Sequence, residues 1–394
     1  MGTYESYRAA LSGRRLPLAW CDLDLLDENA AAIAARASGL PVRIATKSVR
    51  CRAVLERLLA RDGLRGLMCF TAGEAAFLSE RGFDDLLVAY PTGSEPEILS
   101  VLDRIAAGAS ITLMVDDTEQ IVLLADVAAR RGVVLPVCID IDMSLALPGL
   151  HFGVRRSPLR DAPAAVAVAR FIREHESLRL DGVMGYEAQV AGLPDAVPGK
   201  RAISVAIRAL KRRSIAELSQ RRGATVTALA REGFSLRFVN GGGTGSLEST
   251  REDSSVTELT AGSGFFSPAL FDGYRAFRHR PAAGFALPVT RRPARDIYTC
   301  HGGGYVASGA AGPDRLPSPY LPDGASLLSA EGAGEVQTPV RYRGPVDLRI
   351  GDPVFFRHAK AGELCERFAA LVLLSSDSVT TEVPTYRGDG QTFL

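Results

Sequence analysis

The sequence predicts an α/β protein, a (β/α)8 TIM barrel followed by a mostly β C-terminal domain. Short apolar runs alternate with helical patterns eight times before residue 284, and eight strand–helix units in about 250 residues is the size of such a barrel. No G-x-G-x-x-G loop follows any early strand, which argues against the open, dinucleotide-binding sheet. Beyond residue 284 Pro and Gly cluster and helical periodicity fades, the pattern of short strands between turns.

The eight strands are expected at 42–46, 66–69, 86–89, 110–115, 134–141, 180–186, 236–240 and 256–260. Each is a short apolar run, the signature of a strand buried on both faces, and parallel neighbours need helical crossovers. Helices are expected at 51–61, 73–81, 95–107, 118–130, 164–174 and over most of 199–222. Pro163 stands just ahead of one of them, where its missing N–H is tolerated. Later strands are read at 347–350, 353–356 and 368–374. The barrel is assigned to residues 16–284. A β-rich domain covering the active site is assigned to 285–394, with 1–15 packed on it.

Composition narrows the function classes. The chain has 394 residues, 46 Lys plus Arg against 45 Asp plus Glu, and 46% hydrophobic residues. That excludes a disordered chain. A net charge of +1 lacks the basic footprint of a nucleic-acid binder. No window of 18 apolar residues is free of charges, so no membrane span is expected. The opening MGTYESYRAALSGRR carries charges where a secretory signal needs an apolar core. The six cysteines are widely spaced and form no CxxC pair. Both features point to the cytoplasm.

Candidate chemistry collects at the predicted C-terminal ends of the strands, where barrels place their active sites. Lys47 ends the first strand, and only three other lysines exist, Lys200, Lys211 and Lys360. A partly desolvated lysine loses its proton more readily and can attack a carbonyl to form an imine. Its bland alternative is a surface lysine in a loop. Gly241, Gly242, Gly243 and Thr244 follow the seventh strand, and Gly262 and Ser263 follow the eighth. Successive glycines turn backbone N–H groups onto an anion, and barrels often bind phosphate at these two loops. A plain glycine turn is the alternative.

Around the same rim the fifth strand carries Asp140 and is followed by Asp142 and His151, and Tyr186 and Glu187 close the sixth. Tyr186 can donate to a cofactor, and His151 can donate or transfer a proton. The second domain adds His301, ahead of three glycines, and His358 in the run RHAKAGELC. His358 is the one candidate ligand for a divalent metal, and no H-x-x-x-H pair or Cys cluster reinforces it.

Together Lys47, the run 241–244 and the Gly262–Ser263 loop resemble the alanine-racemase-like, fold type III pyridoxal-phosphate enzymes. The opening LPLAWCDLD at 16–24, then Asn29, resembles their D-threonine aldolase and D-serine dehydratase branch, as do SAEG at 329–332 and GDPV at 351–354 ahead of His358. The resemblance implies that Lys47 holds pyridoxal 5'-phosphate as a Schiff base. Gly241, Gly242, Gly243, Thr244, Gly262 and Ser263 would hold its phosphate, and Tyr186 would lie near the ring. It implies a homodimer and a small amino-acid substrate, while charge and hydropathy predict no nucleic-acid or membrane partner.

The implied activity is that of a lyase cleaving the Cα–Cβ bond of a β-hydroxy D-amino acid, with His151, His301 and His358 as candidate acid–base groups beside Lys47. A D-serine dehydratase-like deaminase and an amino-acid racemase are alternatives; a racemase needs a second base, for which Tyr298 and Tyr305 are candidates. A non-catalytic pyridoxal-phosphate-binding protein is a further alternative, although a carrier has no need of a large second domain. The branch's divalent metal (Mn, Mg or Zn) would fall to His358, where the usual H-x-C or H-x-D pair reads His358-Ala359-Lys360. His151 replaces an arginine of the branch, and Gly264 is read as widening the pocket.

Overall fold

The computed structural model of the chain describes residues 2–310, 312–360, 362–376 and 378–393. Eight parallel strands close a barrel: β1 (Val42–Ala45), β2 (Leu64–Cys69), β3 (Leu86–Val88), β4 (Ile111–Val115), β5 (Leu135–Asp140), β6 (Leu178–Gly185), β7 (Phe238–Gly241) and β8 (Glu258–Ala261). They are the eight runs read from the sequence, with bounds moved by no more than two residues. The barrel closes where β8 meets β1, with Leu259 opposite Val42 and Ala261 opposite Ile44. That register sets the segment after β1 beside the loop after β8.

The barrel interior is filled by side chains. Met68, Leu87, Met114, Cys138, Met184 and Phe238, one from each of six consecutive strands, form an apolar cluster. The β1–β8 side is polar instead. Arg43 is buried and donates to both carboxylate oxygens of Glu258, at 2.7 and 2.9 Å. A buried guanidinium persists only when its donors are matched, and this fork is the matching geometry.

The crossover helices are set by side-chain caps. Asp117 accepts the Glu119 N–H ahead of helix Thr118–Arg131, and Asp161 accepts the Ala164 N–H ahead of Ala162–Arg173. Helix Arg201–Arg231 runs 31 residues, well past the expected end at 222. Leu218, Thr225 and Leu229 are buried along it, so tertiary packing carries it on.

The second layer is a nine-stranded, mostly antiparallel sheet. Strand Ala283–Ala294 pairs with Leu18–Asp22, Ile297–His301 and Pro353–Arg357. Leu18–Asp22 also pairs, in parallel, with Ala370–Ser375, so the chain enters this sheet before it enters the barrel. Helix Tyr4–Ala10 packs Tyr4 and Tyr7 edge-on against Phe355, and buried Trp20 meets Tyr7, Tyr320 and Phe355. The strand expected at 347–350 is a turn. Asp352 accepts the Arg349 N–H at 2.8 Å, Gly351 is left-handed at φ 94°, and Ile350 is 66% exposed. No core lies above Ile350 to reward an extended chain there.

Candidate active site

Lys47 sits in a single 3-10 turn, Thr46–Ser48, at the C-terminal end of β1. The turn is held on three sides. Thr46 donates to the Met68 carbonyl at 2.9 Å, and Arg50 donates to the Lys47 carbonyl at 2.9 Å. The Ser48 hydroxyl lies 3.3 Å from that of Ser263. The Lys47 side chain reaches the open mouth, yet protein atoms crowd it. Burial holds its ammonium below the ordinary 10.5; Lys360, Arg156 and Arg50 act in the same direction, and Glu363 opposes them.

The two glycine loops adjoin this turn. A Cβ on Gly262 would fall 2.6 Å from Ser48 Oγ and 2.8 Å from Ala45 Cβ, so the close approach requires glycine. Gly264 donates to the Thr244 hydroxyl at 3.0 Å, locking the second loop to the first. Two of the expected anion donors are already engaged. Gly242 N–H donates to Glu187 at 3.1 Å and Gly243 N–H to Ser246 at 3.1 Å. Among the described residues the N–H groups of Thr244, Gly245, Gly262 and Ser263 form no hydrogen bond within the protein.

Glu187, read from the sequence as a rim group, is a buried brace. It accepts from Gly242, Thr250 and Arg222, and Arg222 also pairs with Asp253 at 2.6 Å. Arg36 supports the loop from behind, donating to the Thr244 carbonyl at 2.7 Å and pairing with Glu248. His279 contacts Gly264 O at 3.2 Å, and burial pushes its ring down to about 4, with Arg36 adding to the effect. A Cβ at Gly264 would meet Thr244 Cγ2 at 2.5 Å and the His279 ring at 3.1 Å. Gly264 therefore makes room for the phosphate-side loops, which corrects its reading as a pocket-widening position.

The far wall comes from β5 and β6. Tyr186 is half-buried, and a Cβ on Gly243 would sit 3.2 Å from its ring. The Arg156 guanidinium stands 5.9 Å from the ring centroid. Its Nε donates to Asp140 at 3.2 Å and its Nη2 to the Ala89 carbonyl at 3.0 Å. Asp140 is buried and is pushed up to about 7 by that burial, which Arg156 partly offsets.

The structure brings together Lys47, Tyr186, Gly243, Thr244, Gly262 and Ser263, with Gly241 and Gly242 behind them as the braced stem of the loop. Among the described residues the side chains of the three other expected histidines form no hydrogen bond, ion pair or ring contact with this group. His151 lies on a hairpin, Leu145–Leu147 with Leu150–Phe152, opposite Ala146. His301 is exposed at the end of strand Ile297–His301, opposite Gln337. His358 is 3% exposed, edge-on to Phe266. Burial pushes its ring down to about 3, with Arg357 in the same sense and the Ala283 backbone opposing. Sequence reasoning missed Arg156, Arg36 and His279; Arg156 stands five residues after His151, while Arg36 and His279 adjoin no motif in the chain.

The model of the family described as alanine racemase, N-terminal domain, matches residues 21–264. The chain belongs to that family. Within the alanine-racemase-like, fold type III group it is related to the D-threonine aldolase and D-hydroxyaspartate dehydratase branch. It is 27% identical over 251 residues to 3-hydroxy-D-aspartate aldolase of Paracoccus denitrificans (strain Pd 1222), covering 63% of this chain and 59% of the relative. It is 25% identical over 277 residues to D-threonine aldolase of Arthrobacter sp, covering 68% and 66%. The alignments thus span less than two thirds of these relatives' length.

By fold, the chain superposes on D-threonine aldolase from Filomicrobium marinum with TM-score 0.80 at 19% identity, covering 95% of each chain. For D-threo-3-hydroxyaspartate dehydratase from Delftia sp. HT23 the TM-score is 0.75 at 21% identity, covering 95% and 98%.

Alanine racemase N-terminal domain membership implies pyridoxal phosphate, and the donors here fit it: one amine with a lowered proton affinity, hydroxyls at Ser48 and Ser263, and unengaged N–H groups on the adjoining loops. The branch's divalent metal does not fit the positions that would hold it. The His358 ring is enclosed by protein, and Lys360 brings an ammonium where a ligand oxygen or sulfur belongs. No group of three His, Cys, Asp or Glu able to hold a metal occurs among the described residues, and no helix among them is long and apolar enough to cross a membrane.

Proposed function

We propose that the protein is a pyridoxal-phosphate-dependent lyase that cleaves the Cα–Cβ bond of a β-hydroxy D-amino acid. The observation that carries this reading is the 3.3 Å approach of Ser48, beside Lys47, to Ser263, which sets the turn carrying Lys47 against a loop with unengaged N–H donors. The two aldolase relatives supply the reaction class.

Lys47 is the covalent anchor, and its lowered proton affinity favours the free amine that bonding needs. Thr244, Gly262 and Ser263 offer N–H groups, and Ser48 and Ser263 hydroxyls, to the phosphate. Tyr186 and Arg156 form the wall that orients the ring. The cofactor, when bound, supplies an electron sink for the pair left at Cα. The free amine of Lys47 would return a proton to Cα. Racemisation by this chain alone finds no support in its candidate bases. Tyr298 is buried beside Tyr342, and Tyr305 is wedged between Phe285 and Phe368. A homodimer is proposed on the family's pattern.

The test is incubation of holoenzyme with D- and L-threonine and D-serine, with aldehyde, keto acid and glycine measured separately. Aldehyde plus glycine from the D isomer supports the lyase. Keto acid with ammonia identifies a dehydratase instead.

A further inference from the structure

Three cations weigh on Lys47: Lys360, Arg156 and Arg50. Two of them have carboxylate partners. Arg50 pairs with Glu366, and Arg156 pairs with Asp140. Lys360 forms no ion pair or side-chain hydrogen bond among the described residues. Glu363, the acid that opposes them, gives its Oε1 to the Ser308 N–H at 2.9 Å, while its Oε2 is buried without a hydrogen-bond partner among the described residues.

Lys360 is held at the mouth by the backbone on both sides of it. The Ala359 carbonyl accepts the Leu270 N–H at 3.1 Å, just beyond the helix that starts at Ser263. At Gly362 a Cβ would fall 2.5 Å from the Lys47 carbonyl oxygen. The segment carrying Lys360 thus spans from the phosphate-side helix to the lysine turn. It arrives from the β domain above β1, whereas Arg156 arrives from β5, four strands round the barrel. Gathering unmatched positive charge in a half-buried mouth costs stability. An anion drawn between the cations recovers that cost.

Cations carried by segments on opposite sides of the barrel mouth suit two carboxylates. Arg156, whose Nη1 makes no hydrogen bond among the described residues, is placed for the α-carboxylate that every amino acid carries. We propose that Lys360 is a specificity-determining cation that receives a second carboxylate, which assigns the site to β-hydroxy amino acids of the dicarboxylic class. This rests on the lyase reading for the reaction, but not for the recognition.

The experiment compares full-length holoenzyme with Lys360→Met, Lys360→Arg and Lys360→Glu. Turnover is measured on D-3-hydroxyaspartate and D-threonine. Binding of D-aspartate and D-alanine, which lack the β-hydroxyl, is followed through the cofactor's absorbance. The wild type should favour each dicarboxylic partner by about 10- to 100-fold, the scale of one desolvated charge pair. Lys360→Met should erase that preference by raising KM and Kd for the dicarboxylic acids alone. Lys360→Arg should keep part of it, and Lys360→Glu should reverse it.

A wild type without the preference overturns the proposal. So does a Lys360→Met variant that slows both substrates alike or loosens the cofactor, because the ammonium would then serve the fold or the phosphate. D-aspartate preference without any cleavage would strike down the lyase reading and leave the role of Lys360 standing.

Discussion

Ser48 and Ser263 meet hydroxyl to hydroxyl at 3.3 Å, across the seam where β8 closes onto β1. That contact joins the amine-bearing turn to the anion-binding loop. Lys47→Ala should therefore abolish both turnover and the visible absorbance of the lysine-bound cofactor. The far-ultraviolet circular dichroism should not change, since Lys47 is exposed and its side chain makes no hydrogen bond or ion pair among the described residues. Retained absorbance would show that another amine is used.

The seam also predicts the effect of a single methyl group. In Gly262→Ala the new Cβ would stand 2.6 Å from Ser48 Oγ and 2.8 Å from Ala45 Cβ. Overpacking of this kind costs about 1–3 kcal/mol. Equilibrium dialysis should show cofactor affinity down by about tenfold or more, because the loop must lift off the lysine turn. Unchanged affinity would place the phosphate elsewhere.

Glu187 braces the first glycine loop through Gly242, Thr250 and Arg222. Glu187→Ala leaves a buried guanidinium and a buried N–H without that acceptor. Breaking one side of such a network costs about 3–5 kcal/mol. Thermal melts of the apoprotein should show the loss directly. Tyr186→Phe should be nearly silent by comparison, since the Tyr186 hydroxyl makes no hydrogen bond among the described residues.

Two buried acids pushed up to about 7, Glu74 and Asp140, give stability a pH dependence. Glu74 accepts from Tyr386 Oη at 2.9 Å and from the Phe70 N–H at 2.8 Å. Burial nevertheless pushes its carboxyl up to about 7 from 4.5. The folded state therefore holds the proton more tightly than the unfolded chain. Its contribution is fully present below 4.5 and is lost as pH rises through 7. Denaturant melts should show stability falling across that window, and Glu74→Gln should flatten part of the fall.

The barrel was legible because its strands are buried on both faces, and such strands are written as unbroken apolar runs. Lys47 and the glycine loops were legible because they end those runs. Leu18–Asp22 was not read as a strand of the β sheet, because its partners lie some 265 and 350 residues away, beginning at Ala283 and Ala370. Arg156 and His279 take their significance from contacts across the mouth. Nothing in a linear pattern separates Arg156 from Arg155 or Arg160. The histidines show the opposite case: side-chain chemistry advertises a role, while the burial of His358 edge-on to Phe266 and the exposure of His301 on a strand end are set by packing that no linear pattern states.

Strand Leu18–Asp22 lies between two strands translated hundreds of residues later. While the barrel is being made, this early piece has neither neighbour, and its backbone donors and acceptors on both edges are open to whatever strand comes near. The ribosome must release nearly the whole polypeptide before that seat can be filled. Cutting the gene at the barrel's end would leave an orphaned ribbon carrying Trp20, so the two layers are inseparable at birth as well as in the finished molecule.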